Sequence, residues 1–187
     1  MKELFFDLET TGLDEKVNAI HQISGIIRID GKTVELFEIN MRPDADQVVV
    51  EQALAVSNLT KDDILKNPYS QAEGYIMLTK ILGKYVDKFN KKDKMFLCGY
   101  NNVKFDNEFL RMLFIRNNDK YFGSWFWSGG IDVMVLALNK LKEKRSEMVD
   151  FKLMTVYEEF GMVINESSLH NANYDVEITM QIYDLLK

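Results

Sequence analysis

The opening stretch of the chain joins an apolar run to two acidic residues. Residues 4–6 are apolar, and Asp7, Leu8 and Glu9 follow them directly. Because residues two apart on a strand share a face, a buried strand here places both carboxylates on the same side. The strand is then predicted to end at Gly12, since glycine readily adopts the positive φ of a sharp turn.

Two further segments predict a β-meander with this first strand. An isoleucine-rich run covers residues 19–29, and polar and apolar residues alternate over 32–40. The dipeptide Asp30-Gly31 between them is the strongest short signal for a hairpin. We therefore expect three antiparallel strands in succession, with His21 as a half-buried residue of the second.

Helical spacing replaces the strand pattern after residue 50. Short helices are predicted over 51–56 and 61–65, and a longer helix over 71–89. Ser70 and Glu73 form a capping box at the start of the longer helix. Its apolar positions are typical of a core-facing helix and carry no chemical signal.

The second half of the chain predicts an α/β crossover. Residues 95–100 read as a fourth buried strand, and the helix after it carries Asp106 in its first turns. The aromatic cluster 121–127 could stack on unpaired bases, but we interpret it as a fifth strand and core anchors. Further helices are predicted over 131–142, 152–160 and 176–186.

The segment before the closing helix combines His170 with Asp175. Five residues rotate a helix by about 500°, so the two side chains do not share a helical face. His170 is therefore predicted in the loop before the last helix, and Asp175 inside that helix. A loop histidine in this position can turn toward a substrate beside a helix-borne carboxylate.

The composition narrows the class of protein. The 187 residues carry 29 acidic and 23 basic side chains and 47% hydrophobic residues, which fits one domain over 1–187 with a full core. A net charge of −6 argues against binding nucleic acid by bulk positive charge. An enzyme that handles phosphates with metals and local basic groups remains compatible with this charge.

The same composition predicts a reducing cytoplasmic location. The single cysteine, Cys98, lies in an apolar run and is expected to be a buried hydrophobic residue, without an internal disulfide. We find no signal peptide and no apolar run of the roughly 18 residues that a membrane span needs, so no membrane association is expected.

The acidic residues together predict a metal site. Asp7 and Glu9 alone are most simply two solvated acids at the end of a strand. With Asp106 and Asp175, four carboxylates can hold two divalent ions, Mg²⁺ or Mn²⁺, which clamp both the attacking and the leaving oxygens of a phosphodiester. A neutral His170 near the metals can accept a proton from the attacking water.

Three motifs in this order resemble the DnaQ-like (DEDDh) 3′–5′ exonuclease superfamily. They are D-x-E near the N-terminus, F-D in mid-chain and H-x-A-x-x-D near the end. The segment G-Y-N-N-V-K-F-D-N-E at 99–108 is similar to the catalytic domain of the bacterial exonuclease I family, which degrades single-stranded DNA from its 3′ end. The resemblance covers residues 4–185.

The resemblance implies an α/β, ribonuclease-H-like fold with a five-stranded mixed sheet, three strands antiparallel and two parallel, flanked by helices. It also implies that Asp7 bridges both metals and that Glu9, Asp106 and Asp175 complete the ligand set. His170 is then the general base of a reaction that releases nucleoside 5′-monophosphates.

Three more residues take substrate-binding positions by resemblance. Thr10 and Leu13 are expected to line the pocket of the terminal nucleotide, with Leu13 packing against its base. Asn102 takes the place of the family's asparagine, either structural or near the penultimate sugar. The family's strand-enclosing domains are not found in this sequence, which predicts distributive digestion. Thr11-Gly12-Leu13 is nearer to proofreading exonucleases.

Other functions remain open at this point. An oligoribonuclease-like enzyme for short RNA or a polymerase-associated proofreading exonuclease would use the same scaffold and metals. A non-catalytic binding module is disfavoured because such a module has no need of four clustered acids. The expected partner is single-stranded nucleic acid, DNA in preference to RNA. A polymerase or repair protein is a further candidate partner, and the chain is expected to be a monomer.

Overall fold

A five-stranded mixed sheet forms the centre of the computed structural model, which describes residues 1–55, 57–163 and 172–187. The strands are β1 (Lys2–Thr10), β2 (Ile20–Ile29), β3 (Lys32–Asn40), β4 (Phe96–Gly99) and β5 (Ile131–Asp132). Their order in the sheet is β3-β2-β1-β4-β5. The first three strands pair antiparallel, whereas β4 runs parallel to β1 and β5 parallel to β4, which confirms the predicted meander and crossover.

Helices cover both faces of this sheet. They are α1 (Glu51–Ala55), α2 (Lys61–Leu65), α3 (Gln71–Leu82), α4 (Asp106–Arg116), α5 (Phe122–Trp125), α6 (Val133–Leu141), α7 (Leu153–Glu159) and α8 (Ala172–Leu185). Short 3₁₀ turns lie at Asn102–Lys104 and Lys142–Lys144. No helix within the described ranges is both long and apolar enough to cross a membrane.

The alternation of side chains along β1 divides the core into two layers. Leu4, Phe6 and Leu8 pack with α3, α4 and α5 on one face of the sheet. Phe5 points to the other face and packs with α6, α7 and α8. Asp7 and Glu9 therefore belong to the same side of β1 as Phe5, the side that α8 covers.

The strongest local signals are confirmed. Asp30 and Gly31 both have positive φ, 49° and 80°, which is the conformation of a type I′ hairpin turn. The Ser70 hydroxyl oxygen accepts a hydrogen bond from the backbone N–H of Glu73, and the Glu73 carboxylate accepts one from the backbone N–H of Ser70. Cys98 is fully buried, as expected.

His21 is more buried than expected. Its exposed fraction is 3%, and burial lowers the pKa of its imidazole to about 4. The half-buried position predicted for it is wrong, because β2 is covered along most of its length.

The fifth strand lies elsewhere than predicted. Residues 122–125 form the one-turn helix α5, and the strand is the short segment Ile131–Asp132. The helical turn brings Phe122 and Phe126, four residues apart, within 5.1 and 6.3 Å of the Phe114 ring, measured between centroids. The part of the prediction that made these aromatics core anchors is confirmed, since both rings are buried.

The longest predicted helix ends early, and one helix boundary cannot be compared. α3 ends at Leu82, where the Gly83 N–H still donates to the Thr79 carbonyl, and turns follow. Glycine in a helix interior costs about 1 kcal/mol, and Phe89, which is 86% exposed, offers no burial in return. The predicted end of the first helix at residue 56 lies outside the described residues.

Candidate active site

Two acidic side chains end β1 on the face that α8 covers. Asp7 pairs with Ser24 and Glu9 with Gln22 across the antiparallel ladder, and the register shifts between Glu9 and Thr10. Such a bulge bends a strand and redirects its side chains, which is a common feature beside active sites. The predicted placement of both carboxylates on one strand face is confirmed.

Asp106 reaches the same place from α4. It is the first residue of the helix, directly after the 3₁₀ turn that follows β4, and its exposed fraction is only 6%. β4 lies beside β1 and parallel to it, so the chain that leaves β4 passes the carboxyl end of β1. Asp175 lies in the first turn of α8, which packs across β1 and β2.

The electrostatics show that these four carboxylates converge. The pKa of Asp7 is raised well above its usual value by burial first, and then by the negative charges of Asp106, Glu9 and Asp175. Residues separated by up to 168 positions in the sequence therefore act on one carboxyl group. Ionising all four carboxyl groups in the absence of a cation is therefore unfavourable.

Asp106 is the second carboxyl group whose pKa is raised. Burial raises its pKa to about 7, hydrogen bonds from the backbone of Asp106 and Leu8 oppose the shift, and the charges of Glu9 and Asp132 add to it. Asp132 was predicted only as a helix start. It does cap α6, accepting the N–H groups of Met134 and of Asn101, each at 3.0 Å, but its charge also belongs to the site.

The donor chemistry fits divalent metal ions. Carboxylate oxygens are preferred ligands of Mg²⁺ and Mn²⁺, and a bound cation reverses the repulsion that raises the pKa of Asp7 and Asp106. Within residues 1–55, 57–163 and 172–187, no three acidic, histidine or cysteine side chains are already arranged to hold an ion. The carboxylates thus lie within electrostatic range, but coordination requires them to move closer.

The loop after β1 is fixed by buried polar contacts. Thr11 donates its hydroxyl to the Val48 carbonyl at 2.7 Å and accepts the Ala19 N–H at 2.8 Å. A Cβ on Gly12 would lie 2.5 Å from the side chain of Asn18, which also binds the Val48 carbonyl. The predicted reason for Gly12 is therefore wrong: its φ is not positive, and close packing requires the glycine.

The two loop residues assigned to the terminal nucleotide have contrasting environments. Thr10 is half-buried and donates its hydroxyl to the Gly12 carbonyl at 2.8 Å. Leu13 is 83% exposed, which is unusual for a leucine in a loop fixed on both sides. This apolar side chain is therefore accessible to a ligand.

Asn102, the third residue assigned to substrate, is less accessible than Thr10 and Leu13. Asn102 has no exposed surface, and its Nδ2 donates to the Asn107 Oδ1 at 3.1 Å, so its side chain does not face solvent. His170 lies outside the described residues. Sequence reasoning missed Ser57, whose hydroxyl donates to Glu9 Oε2 at 3.2 Å across 48 positions of sequence without any local motif.

Comparison with known proteins defines the class of this carboxylate-bearing fold. A model of the RNase_T exonuclease family matches residues 4–183. The chain belongs to this exonuclease family, in agreement with the DnaQ-like motifs. Exodeoxyribonuclease I of Buchnera aphidicola (subsp. Baizongia pistaciae) is 28% identical over 98% of the chain, which spans 39% of that protein.

Other relatives point to the same fold. The structure of E. coli exonuclease I in complex with a dT13 oligonucleotide superposes with a TM-score of 0.77 at 21% identity, covering 100% of this chain and 41% of that protein. This confirms the expected ribonuclease-H-like fold. A PolC-type DNA polymerase III of Thermotoga petrophila is 27% identical over 95% of this chain and 11% of its own length. The chain thus spans about two fifths of the exonuclease I relatives that it matches.

Proposed function

We propose that this domain is a divalent-metal-dependent 3′–5′ exonuclease that hydrolyses single-stranded DNA to nucleoside 5′-monophosphates. The observation that carries the proposal is the convergence of Asp7, Glu9, Asp106 and Asp175 at one place in a chain of the exonuclease family. The relatives named exodeoxyribonuclease I and the oligonucleotide complex of E. coli exonuclease I support DNA as the substrate class.

The four carboxylates would hold two ions, Mg²⁺ or Mn²⁺. Bound there, the ions supply charge stabilisation for the attacking and leaving oxygens of the phosphodiester. Asp7 would be the central ligand, because its carboxyl group experiences the charges of the other three. Glu9, Asp106 and Asp175 complete the set, and Ser57 orients Glu9 by its hydrogen bond.

His170 is the proposed proton acceptor for the attacking water. A neutral imidazole titrates near pH 6.5, so it can take a proton at neutral pH and return it to solvent. The H-x-A-x-x-D motif, in which His170 precedes Asp175 by five residues, supports this role through the resemblance to the DnaQ-like exonucleases.

The loop after β1 would position the terminal nucleotide. Leu13 presents an exposed apolar surface to a base, and the Thr10 hydroxyl lies at the end of β1 next to the carboxylates. Asn102 is better described as a positioning residue, since it is buried and holds Asn107 directly after Asp106. Unpaired DNA reaches such a pocket more readily than duplex, whose terminal bases must unstack at about 1.4 kcal/mol per step.

The test compares four substrates in Mg²⁺: 5′-labelled single-stranded DNA, the matching duplex, RNA of the same sequence and a very short RNA. We expect a 3′-shortened ladder from single-stranded DNA and slower digestion of duplex. Products shortened from the 5′ end would contradict the polarity. Preference for the short RNA would identify an oligoribonuclease-like enzyme instead.

A proofreading exonuclease is the second candidate, because PolC-type polymerases match 95–96% of the chain. Primer–template duplexes with a matched or a mismatched 3′ end separate the two functions. A proofreading enzyme removes the mismatched terminus much faster than the matched one. The proposed single-strand exonuclease digests both slowly compared with a free strand.

A further inference from the structure

A cavity of about 400 Å³ opens beside α4, and none of the four carboxylates lines it. Its volume is within the range that small-ligand sites occupy. Cations, aromatic rings and glycines line it together: Lys94, Arg111, Phe122, Trp127, Gly129 and Gly130. Neither the family match nor the site residues assigned above account for this combination.

Both cations lie on aromatic faces of the cavity wall. The Cζ atom of Arg111 is 4.6 Å from the ring centre of Phe122, and the Nζ atom of Lys94 is 5.3 Å from that of Trp127. Cation–π contacts position a charge without neutralising it. Arg111 also approaches Glu108, but at 3.8 Å and with both side chains about half exposed, so the pairing is weak.

The glycines and a buried amide form the other wall. A Cβ on Gly130 would lie 3.0 Å from the Asn107 Nδ2 and 3.1 Å from the Leu97 carbonyl oxygen, so the glycine allows the Asn107 amide to pack closely against this wall. Asn107 is 7% exposed, and Asn102 fixes its amide by donating to Oδ1. The Nδ2 donor is thereby held on the cavity side of α4.

We propose that this cavity binds one nucleotide unit outside the catalytic centre. Lys94 and Arg111 would contact its phosphate, and the half-buried Trp127 and the Asn107 amide its base. The location suits a strand whose 3′ end is at the carboxylates. Asn107 directly follows Asp106 in α4, and Arg111 lies about 7.5 Å beyond Asp106 along the helix axis. The inference rests on the proposed function.

The test measures binding in EDTA, where the strand is not consumed. Labelled oligothymidylates of two to twelve nucleotides are titrated into wild-type protein, the Lys94→Gln/Arg111→Gln variant and a control, Lys140→Gln/Lys142→Gln. The control removes the same charge from exposed positions on the opposite sheet face. Melting temperatures establish that all three are folded.

We expect the Lys94→Gln/Arg111→Gln variant to bind the longer oligomers about tenfold more weakly and the dinucleotide normally. The slope of log affinity against log salt should become shallower by about 0.7 for each phosphate that the variant no longer binds. The control should match the wild type. Competition by thymidine 5′-monophosphate distinguishes a nucleotide unit of a strand from a free nucleotide. If the variant loses only mononucleotide binding, the ligand is the free nucleotide.

A second variant tests the space rather than the charge. Nothing lies within 4 Å of a Cβ built on Gly123, which lines the cavity, so Gly123→Leu adds a side chain that starts in open space. It should weaken binding of long oligomers and leave the salt dependence unchanged. Wild-type affinity of both Gly123→Leu and Lys94→Gln/Arg111→Gln for every ligand would overturn the proposal.

Hydrolysis separates this inference from the proposed function. With Mg²⁺, both cavity variants should cleave a dinucleotide at the wild-type rate. If the wild type cleaves no substrate while the variants lose oligomer affinity, the proposed function fails and the nucleotide site stands. If the wild type cleaves DNA and the variants bind normally, only the site is wrong.

Discussion

The two ends of β1 carry acidic side chains on the same face, but the protein treats their charges in opposite ways. Glu3, fully buried, accepts a hydrogen bond from the Arg28 Nε at 2.8 Å, and Arg28 also binds Asp184 at 2.8 Å. At the other end, Asp7 lies among the charges of three carboxylates. The charge of Glu3 is thus neutralised by a cation of the chain itself, whereas that of Asp7 would be neutralised by a bound metal ion.

The difference also reverses the response to pH. Burial opposes ionisation of Asp184, but hydrogen bonds from Lys187 and Arg28 hold its pKa below the usual value. Its contribution to stability is therefore present above that usual value and lost as the pH falls through the lowered pKa. Asp106, with a pKa raised to about 7, contributes fully below the usual carboxyl pKa, and this contribution is lost as the pH rises toward 7.

The largest expected effect comes from removing one charge at the catalytic end. Asp7→Asn should lower turnover by about 10³-fold or more, because charge stabilisation by metal amounts to several kcal/mol. The same variant should be as stable as the wild type in EDTA, or more so, since repulsion is relieved. Glu3→Gln is the matched change at the other end and should lower stability instead. Wild-type turnover of Asp7→Asn would contradict the assignment.

His170→Ala tests whether His170 acts as a general base or as a metal ligand. Loss of a general base should lower the rate by about 10²–10⁴-fold. The rise in melting temperature on adding Mg²⁺ should remain, because the carboxylates still hold the ions. Differential scanning fluorimetry with and without Mg²⁺, alongside single-turnover kinetics, measures both. Loss of the Mg²⁺ response together with activity would make His170 a ligand.

Breaking the ion pair at the Glu3 end should act on stability alone. Arg28→Met leaves a buried carboxylate without its cation, which typically costs about 3–5 kcal/mol in the free energy of unfolding. Lys84→Met provides the control, because its pair with Glu35 lies where the Lys84 side chain is 49% exposed. An exposed pair is worth less than about 1 kcal/mol. Urea unfolding that gives equal losses would refute the contrast.

A pH-dependent response to metal is also expected. In EDTA, stability should fall as the pH rises from about 4 to 7, by at most about 1.4 kcal/mol per pH unit for each raised carboxyl group. Mg²⁺ should reduce this fall by binding the ionised form. Asp106→Asn removes one titrating group and should flatten the EDTA profile. An unchanged profile in that variant would exclude Asp106 as a source.

Local signals in the sequence predicted the elements whose causes are themselves local. The apolar run and D-x-E of β1, the Asp30-Gly31 turn and the Ser70 capping box each depend on residues a few positions apart. The helical turn α5 was missed for the opposite reason, whereas the early end of α3 has a local signal, Gly83, that the sequence interpretation did not use. Packing on rings such as Phe114, which belongs to another element, decided the conformation of the aromatic segment.

The candidate site could be predicted only in part. The order of the acidic motifs identified Asp7, Glu9, Asp106 and Asp175, because each motif is a short fixed pattern in a known order. Ser57 and Asp132 carry no such pattern, so neither was assigned to the site. The burial of Asn102 could not be predicted from the sequence either, because it depends on how β4, the 3₁₀ turn and α4 pack together.

The sequence by itself determined which residues could carry charge at the two ends of β1, and that one end has the spacing of an exonuclease motif. Only the tertiary structure decided which charged groups surround each of these side chains. Arg28 reaches Glu3 across 25 positions and Asp184 across 156, and Asp7 meets Asp106 and Asp175 through separate elements. Electrostatic energy depends on distance in space and on burial, and the order of residues along the chain specifies neither.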